Sequence, residues 1–463
     1  MKNAHIVIGL GYGDEGKGTI TEYLTRREKA GLVVRFNGGS QAAHHVVTDE
    51  TTHCFAQFGS GTFISGVQTY LSEYMLVDPR TLHGEALVLA EKGVSDALAR
   101  LSINSKCLVI TPFHKTMNRV REFMRGESKH GSCGMGVGET VRDGEILGQN
   151  ALMMGDLRDA YIIRKKLDEL RKIKVKEAKE FLEDNEDNQT LQALVQELSQ
   201  PGLVTLLVEE YYLFVKENAL NIVDKHEFER HERVVFEGAQ GVLLDSEHGF
   251  WPYITKTKAT FRNACQLIEK NRDTKTKKIG VIRAYHTRHG AGPLITEDSF
   301  LADVVPEMHN GKNVWQDSFR VGWFDLVATR YSLKNVEDID EVALTNLDRL
   351  NGIGNVKVCV AYSYEGDKTV ALDKYFVYRI QDDKVIIEDI KVLPMPNLAH
   401  QSQLACLLLE CRPMFVSFGS IEGDLKDPLT YKEYVQWLQK ELKIKISILS
   451  MGQKYQDKAE VVL

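Results

Sequence analysis

Short apolar runs that break into glycine recur along the chain. Ile6-Val7-Ile8 leads into Gly9-Leu10-Gly11-Tyr12-Gly13, Leu32-Val33-Val34-Arg35-Phe36 into Asn37-Gly38-Gly39, and Val234-Val235-Phe236 into Gly238-Ala239-Gln240-Gly241. Ile279 to Arg283 precedes a polar, glycine-rich stretch from Tyr285 to Pro293, and Val342-Ala343-Leu344 runs on to Asp348. Continuous apolar runs of this length predict buried strands, and Cys107-Leu108-Val109-Ile110 predicts another. Between the first two runs Ile20 to Lys29 has a helical pattern, so strand, helix and strand predict a right-handed parallel unit. From about Asp159 to Arg233 the pattern is charged and helical, broken at Ser199-Gln200-Pro201-Gly202, and its charges predict solvated helix faces. The expected architecture is α/β: a P-loop-like, large, mainly parallel (mixed) sheet flanked by helices, one domain over 1–463 with a helical excursion over about 157–233.

The chemistry collects at the strand exits, where ligands sit in open α/β sheets. A strand that ends in glycines and passes straight into a helix aims several backbone N–H groups at one spot, and the helix dipole adds partial positive charge. Gly11, Gly13 and Gly16 meet the dinucleotide pattern G-x-G-x-x-G, but the next strand ends in Arg35-Phe36-Asn37, without an acid to hold a ribose. The phosphate-loop pattern fits better: Gly11, four residues, Gly16 and Lys17, with Gly18 where Ser or Thr is usual. A carboxylate in such a cradle needs a cation beside it or work of its own as a base, and Asp14 is placed for either.

The second strand's loop should lie beside the first, which makes His44 a donor to a phosphoryl oxygen. Gly131-Ser132-Cys133-Gly134-Met135-Gly136-Val137-Gly138-Glu139-Thr140 is too rich in glycine for a regular element; it reads either as a flexible lid or as a second anion-binding loop. Glu237 and Gln240 are polar positions in an apolar run, so they brace the sheet or face a ligand. Asp348, at a strand exit, can cap a turn or accept from the N1–H and N2 groups of guanine.

Composition narrows the function classes. With 463 residues, 43% of them hydrophobic and 27% charged, the chain has ample core and no apolar run of membrane-spanning length. A net charge of −7 gives no general attraction for nucleic acid or anionic membranes. The seven cysteines are scattered and form no C-x-x-C pair, which favours a reducing compartment without structural zinc. Met1 to His5 lead directly into the first strand, and the cytoplasm is the expected location.

Taken in order, these stretches resemble the adenylosuccinate synthetase family across essentially the whole chain. The carriers are Gly13-Asp14-Glu15-Gly16-Lys17-Gly18, Val34 to Gly39 followed by Ala43-His44, and Phe236 to Asp245. They continue through His248 to Tyr253, Thr287 to Pro293, Gly322-Trp323-Phe324-Asp325, Leu344 to Asp348, and Ser450-Met451-Gly452. The resemblance implies a homodimeric ligase in which GTP, with Mg2+, phosphorylates the 6-oxygen of IMP and the amine of L-aspartate displaces the phosphate. It implies Asp14 as base and magnesium ligand, His44 and Lys17 at the transferring phosphoryl group, and the Ala43 carbonyl as a second magnesium ligand. Gly13, Glu15, Gly16, Lys17, Gly18, Asn346, Asp348 and Gly452 would hold the triphosphate nucleotide. Asp14, Gln41, Ser132, Gln240 and Thr255 would hold the acceptor nucleotide, and Arg320 the aspartate.

The departures from the family pattern cluster. Tyr12 replaces a Trp, Ser40 a His and Gln41 an Asn, and the 131–137 loop lacks a phosphate-binding Thr and an Arg. Arg142 and Glu145 stand where Lys and Arg are usual, so an arginine lent across the dimer is not evident. Trp315-Gln316-Asp317-Ser318-Phe319-Arg320 replaces an aspartate loop rich in Thr, Gly and Arg, and Asn346 replaces a Lys. Each lost charge-assisted hydrogen bond is worth about 1.5–3 kcal/mol, enough to change a substrate. Two alternatives therefore stand beside the IMP reading. One is a relative taking another acceptor such as dGMP or GMP, possibly with ATP, like the phage 2-aminoadenylosuccinate synthetases. The other is a purine-nucleotide sensor without turnover.

Overall fold

The computed structural model describes residues 1–126, 130–269, 273–306, 319–336, 338–393, 395 and 397–461. Its centre is a ten-stranded sheet. From one edge to the other run Lys458–Glu460, Ile446–Ser450, Glu341–Thr345, Lys275–Arg283, Asn3–Gly9, Arg233–Gly241, Leu32–Arg35, Gln68–Leu71, Leu101–Asn104 and Asn221–Val223. Every pairing is parallel except that of the edge strand Lys458–Glu460 with Ile446–Ser450.

Asn3–Gly9 shows why continuous apolar runs become central strands. Alternate side chains point to opposite faces. Ile6 and Ile8 enter a core with Phe36 and Phe236, while Val7 packs on the other face with Ile20 and Leu24 of the helix Lys17–Arg27. Both faces are covered, so no polar alternation is needed.

The second predicted strand, Leu32–Arg35, is not the neighbour of the first. Arg233–Gly241 lies between them, pairing Val7 with Glu237 on one side and Glu237 with Arg35 on the other. The parallel sense brings the exits of these strands to one edge of the sheet.

Three further expectations change. The glycine-rich stretch from 131 becomes regular at its end: the chain turns at Gly136 (φ 79°) into the helix Val137–Leu147. Of Cys107 to Ile110 only Leu108–Val109 is a strand, and it pairs with Leu76–Val77 outside the main sheet. The stretch after Arg283 contains the strand His286–His289, antiparallel to Phe319–Gly322. Trp315 to Ser318, expected to be part of an aspartate loop, lie outside the described residues.

The helical excursion comprises Ala160–Glu183, Gln189–Ser199 and Leu203–Glu217, and the chain then returns to the sheet as its edge strand Asn221–Val223. Most of its charged side chains are solvated, but Lys174 is fully buried. Its Nζ lies 2.7 Å from Asp143 Oδ1 and 3.4 Å from both Glu139 and Glu177, tying the excursion to the helix Val137–Leu147. Among the described residues no helix is long and apolar enough to cross a membrane.

Candidate active site

The strand exits enclose a cavity of about 1030 Å³. Its wall begins at the glycine loop after Asn3–Gly9, where two adjacent acids face opposite ways. Glu15 turns inward: its Oε1 accepts from the Gly11 N–H at 2.9 Å and the Gly13 N–H at 2.7 Å, and its Oε2 lies 2.6 Å from Lys17 Nζ. A side chain at residue 9 would collide with that carboxylate, its Cβ falling 2.1 Å from Glu15 Oε2, so this glycine makes room for an internal acid. Glu15 therefore braces the loop and its side chain does not line the cavity. Lys17 also donates to the Gly13 carbonyl.

Asp14 turns outward. Its Oδ2 lies 3.0 Å from His289 Nε2, and its backbone carbonyl accepts from Arg283 at 3.0 Å. Burial pushes the Asp14 carboxyl up, but the hydrogen bond and charge of His289, with Arg283 and Lys17, more than offset this and hold it below the ordinary carboxylate range.

His44 begins the strand His44–Val47 and also faces the cavity. Its Nδ1 is 2.6 Å from Glu237 Oε1, while Glu237 Oε2 accepts from the Ser60 N–H at 2.9 Å and the Ser60 hydroxyl donates to Oε1. Burial lowers the His44 pKa, and Glu237 opposes that effect. Glu237 thus braces a cavity residue from behind. Gly18 explains the missing loop hydroxyl: a Cβ there would fall 2.8 Å from His44 Cβ and 3.1 Å from Ser60 Oγ. His44 occupies the space a Ser or Thr would need.

The loop is tied to the segment that follows Glu341–Thr345 by a 2.6 Å hydrogen bond from the Thr345 hydroxyl to the Glu15 carbonyl. Asn346 then adopts a left-handed conformation (φ 59°) and starts the short turn Leu347–Leu350, which carries Asp348. Burial raises the Asp348 carboxyl above its ordinary value. Asn346, Asp348 and Gly452 line the same cavity as Gly13, Asp14, Gly16, Lys17 and Gly18.

Elsewhere the cavity is walled by Gln41, Ala43, Ser132, Gln240 and Thr255. Thr257 links two of these, its hydroxyl donating to Gln240 Oε1 at 2.9 Å and lying 3.2 Å from that of Thr255. The Ser132 hydroxyl donates to Asn118 Oδ1 at 2.9 Å, which holds the glycine-rich segment against the helix Pro112–Met124. Arg121, Arg125, Arg142 and Lys256 also line the cavity, and burial together with Arg125 and Lys256 pushes the His130 pKa down to about 4.

Every candidate from the sequence therefore faces one cavity except three, of which Glu237 lies behind His44. Glu15 is internal to the loop. Arg320 pairs with Glu297 and donates to the Gly292 carbonyl at 2.8 Å, outside the cavity lining. Among the cavity residues that the sequence left without a role are Arg283, Arg288, His289 and Lys256. Arg288 is buried over the Tyr12 ring at 4.4 Å, donates to the Ala291 and Pro293 carbonyls, and has its pKa lowered by burial to about 10. Arg288 and His289 fall in the Thr287 to Pro293 stretch that carries the resemblance, but their roles come from the pairing of His286–His289 with Phe319–Gly322, which no local pattern reports.

Comparison with known proteins decides the family. The family model described as adenylosuccinate synthetase matches residues 6–391. The chain belongs to the adenylosuccinate synthetase family. Its members are C–N ligases. A relative named adenylosuccinate synthetase from Desulforamulus reducens is 29% identical over 458 residues, covering 97% of this chain and 96% of that protein. One from Marinomonas sp. is 33% identical over 369 residues, covering 79% and 82%. Among solved structures, the fully ligated adenylosuccinate synthetase from Plasmodium falciparum superposes with a TM-score of 0.75 at 20% identity, covering 99% of this chain and all of that one. The cyanophage S-2L succinoaminodeoxyadenylate synthetase, bound to dGMP and to dATP as an energy donor, gives 0.57 at 16% identity, covering 99% and 95%. At those identities the two structures speak for the fold: a large, mostly parallel α/β sheet, as the sequence pattern predicts.

Proposed function

We propose that this adenylosuccinate synthetase family member condenses L-aspartate with a 6-oxopurine nucleotide, IMP in the first instance, at the expense of GTP and with Mg2+. The observation that carries the reading is the pairing of an outward Asp14 with a Glu237-backed His44 in one cavity. Such a pair suits proton removal and phosphoryl transfer at one purine edge.

In the first step the purine N1 proton passes to Asp14, O6 bonds to the γ-phosphorus and the bond to the GDP oxygen breaks. His44, with Nδ1 engaged by Glu237, offers Nε2 to the transferring phosphoryl oxygens. Next the neutral amine nitrogen of aspartate bonds to C6, the C6–O6 bond breaks, and the phosphate leaves on O6 carrying the proton that the amine gives up. Lys17 supplies positive charge beside the phosphates. Gln41, Ser132, Gln240 and Thr255 hold the acceptor, Asn346, Asp348 and Gly452 the guanine end, and Arg320 the aspartate, for which it must leave Glu297.

Magnesium fits the donor set, because the Asp14 carboxylate and the Ala43 carbonyl are hard oxygen donors on the wall of one cavity. When bound it neutralises charge on the β- and γ-phosphates. The enzyme is read as a cytoplasmic homodimer with small-molecule substrates only, built as one catalytic body over 1–463.

A second acceptor, dGMP or GMP, is favoured by the 131–137 segment on the cavity wall: the Ser132 hydroxyl donates to Asn118 Oδ1 and so offers an acceptor nucleotide only its lone pairs, where the family pattern has a phosphate-binding Thr and an Arg. Phosphate release is measured with aspartate against IMP, dGMP and GMP, each with GTP and with ATP. Release with IMP and GTP supports the first reading, a preference for dGMP or GMP replaces the acceptor, and nucleotide binding without release from any pair overturns the ligase reading in favour of a sensor.

A further inference from the structure

We infer that His289 is a positioning residue for Asp14, selecting which carboxylate oxygen meets the substrate. The inference rests on the reading of Asp14 as the group that takes the purine proton. A carboxylate only accepts, so the 3.0 Å contact from Nε2 to Asp14 Oδ2 requires the proton on Nε2. That bond engages one oxygen and leaves Oδ1 as the one offered to the cavity.

The platform behind the bond is stiff. His289 ends the strand His286–His289, where its pairing partner is Phe319, and the two rings meet edge to face at 4.7 Å. The chain then turns at Gly290 (φ 71°). The ring is therefore held by strand register, by packing and by the following turn, and it reaches Asp14 across a gap of 275 positions in the numbering, from 14 to 289. The backbone at Asp14 is fixed by Glu15 on the Gly13 N–H and by Arg283 on the Asp14 carbonyl, but neither contact touches the Asp14 carboxylate, whose side-chain torsion they leave open. The hydrogen bond from His289 sets that torsion.

The test uses His289→Val, which keeps a branched apolar body without a donor, and His289→Gln, which restores an N–H donor. Turnover is measured with the acceptor the wild type prefers. His289→Val should lower kcat about tenfold or more, with KM for the triphosphate within about twofold, and His289→Gln should recover kcat to within about threefold of wild type. Unchanged kcat in His289→Val, or equal losses in both variants with a matching drop in melting temperature, overturns the inference. The imidazole 15N resonances of His289, identified by their loss in His289→Gln, are also compared between wild type and Asp14→Ala. A shift supports the pairing and identical resonances refute it, even if the wild type turns over no acceptor and the ligase reading fails.

Discussion

His44 Nδ1 and Glu237 Oε1 stand 2.6 Å apart although 193 positions separate them, and the carboxylate is fully buried behind the ring. A polar group inside an apolar strand needs such a partner, and here the partner is the side chain that faces the cavity. Glu237→Gln keeps the shape and removes the charge. It should lower kcat about tenfold to a hundredfold, the equivalent of a charge-assisted hydrogen bond, while calorimetric GTP affinity stays within about threefold. Equal losses in kcat and affinity would make Glu237 a part of the nucleotide site itself.

Gly18 stands 2.8 Å, measured from a Cβ it lacks, from His44 Cβ. Gly18→Ser, which restores the usual phosphate-loop hydroxyl, should therefore displace His44 and reduce kcat at least tenfold, roughly the effect of a misplaced catalytic group. Steady-state kinetics decides it, since a variant as active as wild type would show that His44 has room to spare.

Asp348 lies on the cavity wall after the left-handed Asn346. If it reads the N1–H and N2 groups of guanine, Asp348→Ala should reduce the preference for GTP over ATP about tenfold to a hundredfold. Ratios of kcat/KM for the two triphosphates provide the check, and an unchanged ratio would return the residue to a turn cap.

Lys174 is buried against Asp143, Glu139 and Glu177. Lys174→Met leaves those carboxylates without their cation and should destabilise the protein by about 3–5 kcal/mol, read as a lower urea midpoint. A change below about 1 kcal/mol would mean that Arg121, which also reaches Glu139 and Glu177, suffices.

His286 is buried between Tyr12 and Phe324, and burial with the nearby Arg283 pushes its pKa down to about 4 from 6.5. Between those values the unfolded chain holds a proton that the folded chain does not. Stability is therefore retained above pH 6.5 and lost as pH falls through the window towards 4, by about 3 kcal/mol in all. Denaturation midpoints measured from pH 7 to 4 should fall less steeply in His286→Gln than in wild type, and parallel slopes would refute the assignment.

Much of the sheet was legible in the chain itself. Apolar runs ending in glycine predicted Asn3–Gly9, Leu32–Arg35 and Arg233–Gly241, and the apolar run before Asn346 predicted Glu341–Thr345, because a strand covered on both faces needs no polar alternation and its exit needs unusual backbone angles. The residue types for phosphate, base and purine chemistry were legible for the same reason: they lie within a few positions of those exits. The sense in which Asp14 and Glu15 face, the strand inserted between Asn3–Gly9 and Leu32–Arg35, the buried charge of Lys174 and the reach of His289 to Asp14 were decided only in three dimensions. Periodicity reports whether a residue is covered and by what kind of backbone. It carries no information on which distant element lies alongside: strand order and register set the inserted strand and the reach of His289, loop geometry the facing of Asp14 and Glu15, and helix packing the burial of Lys174.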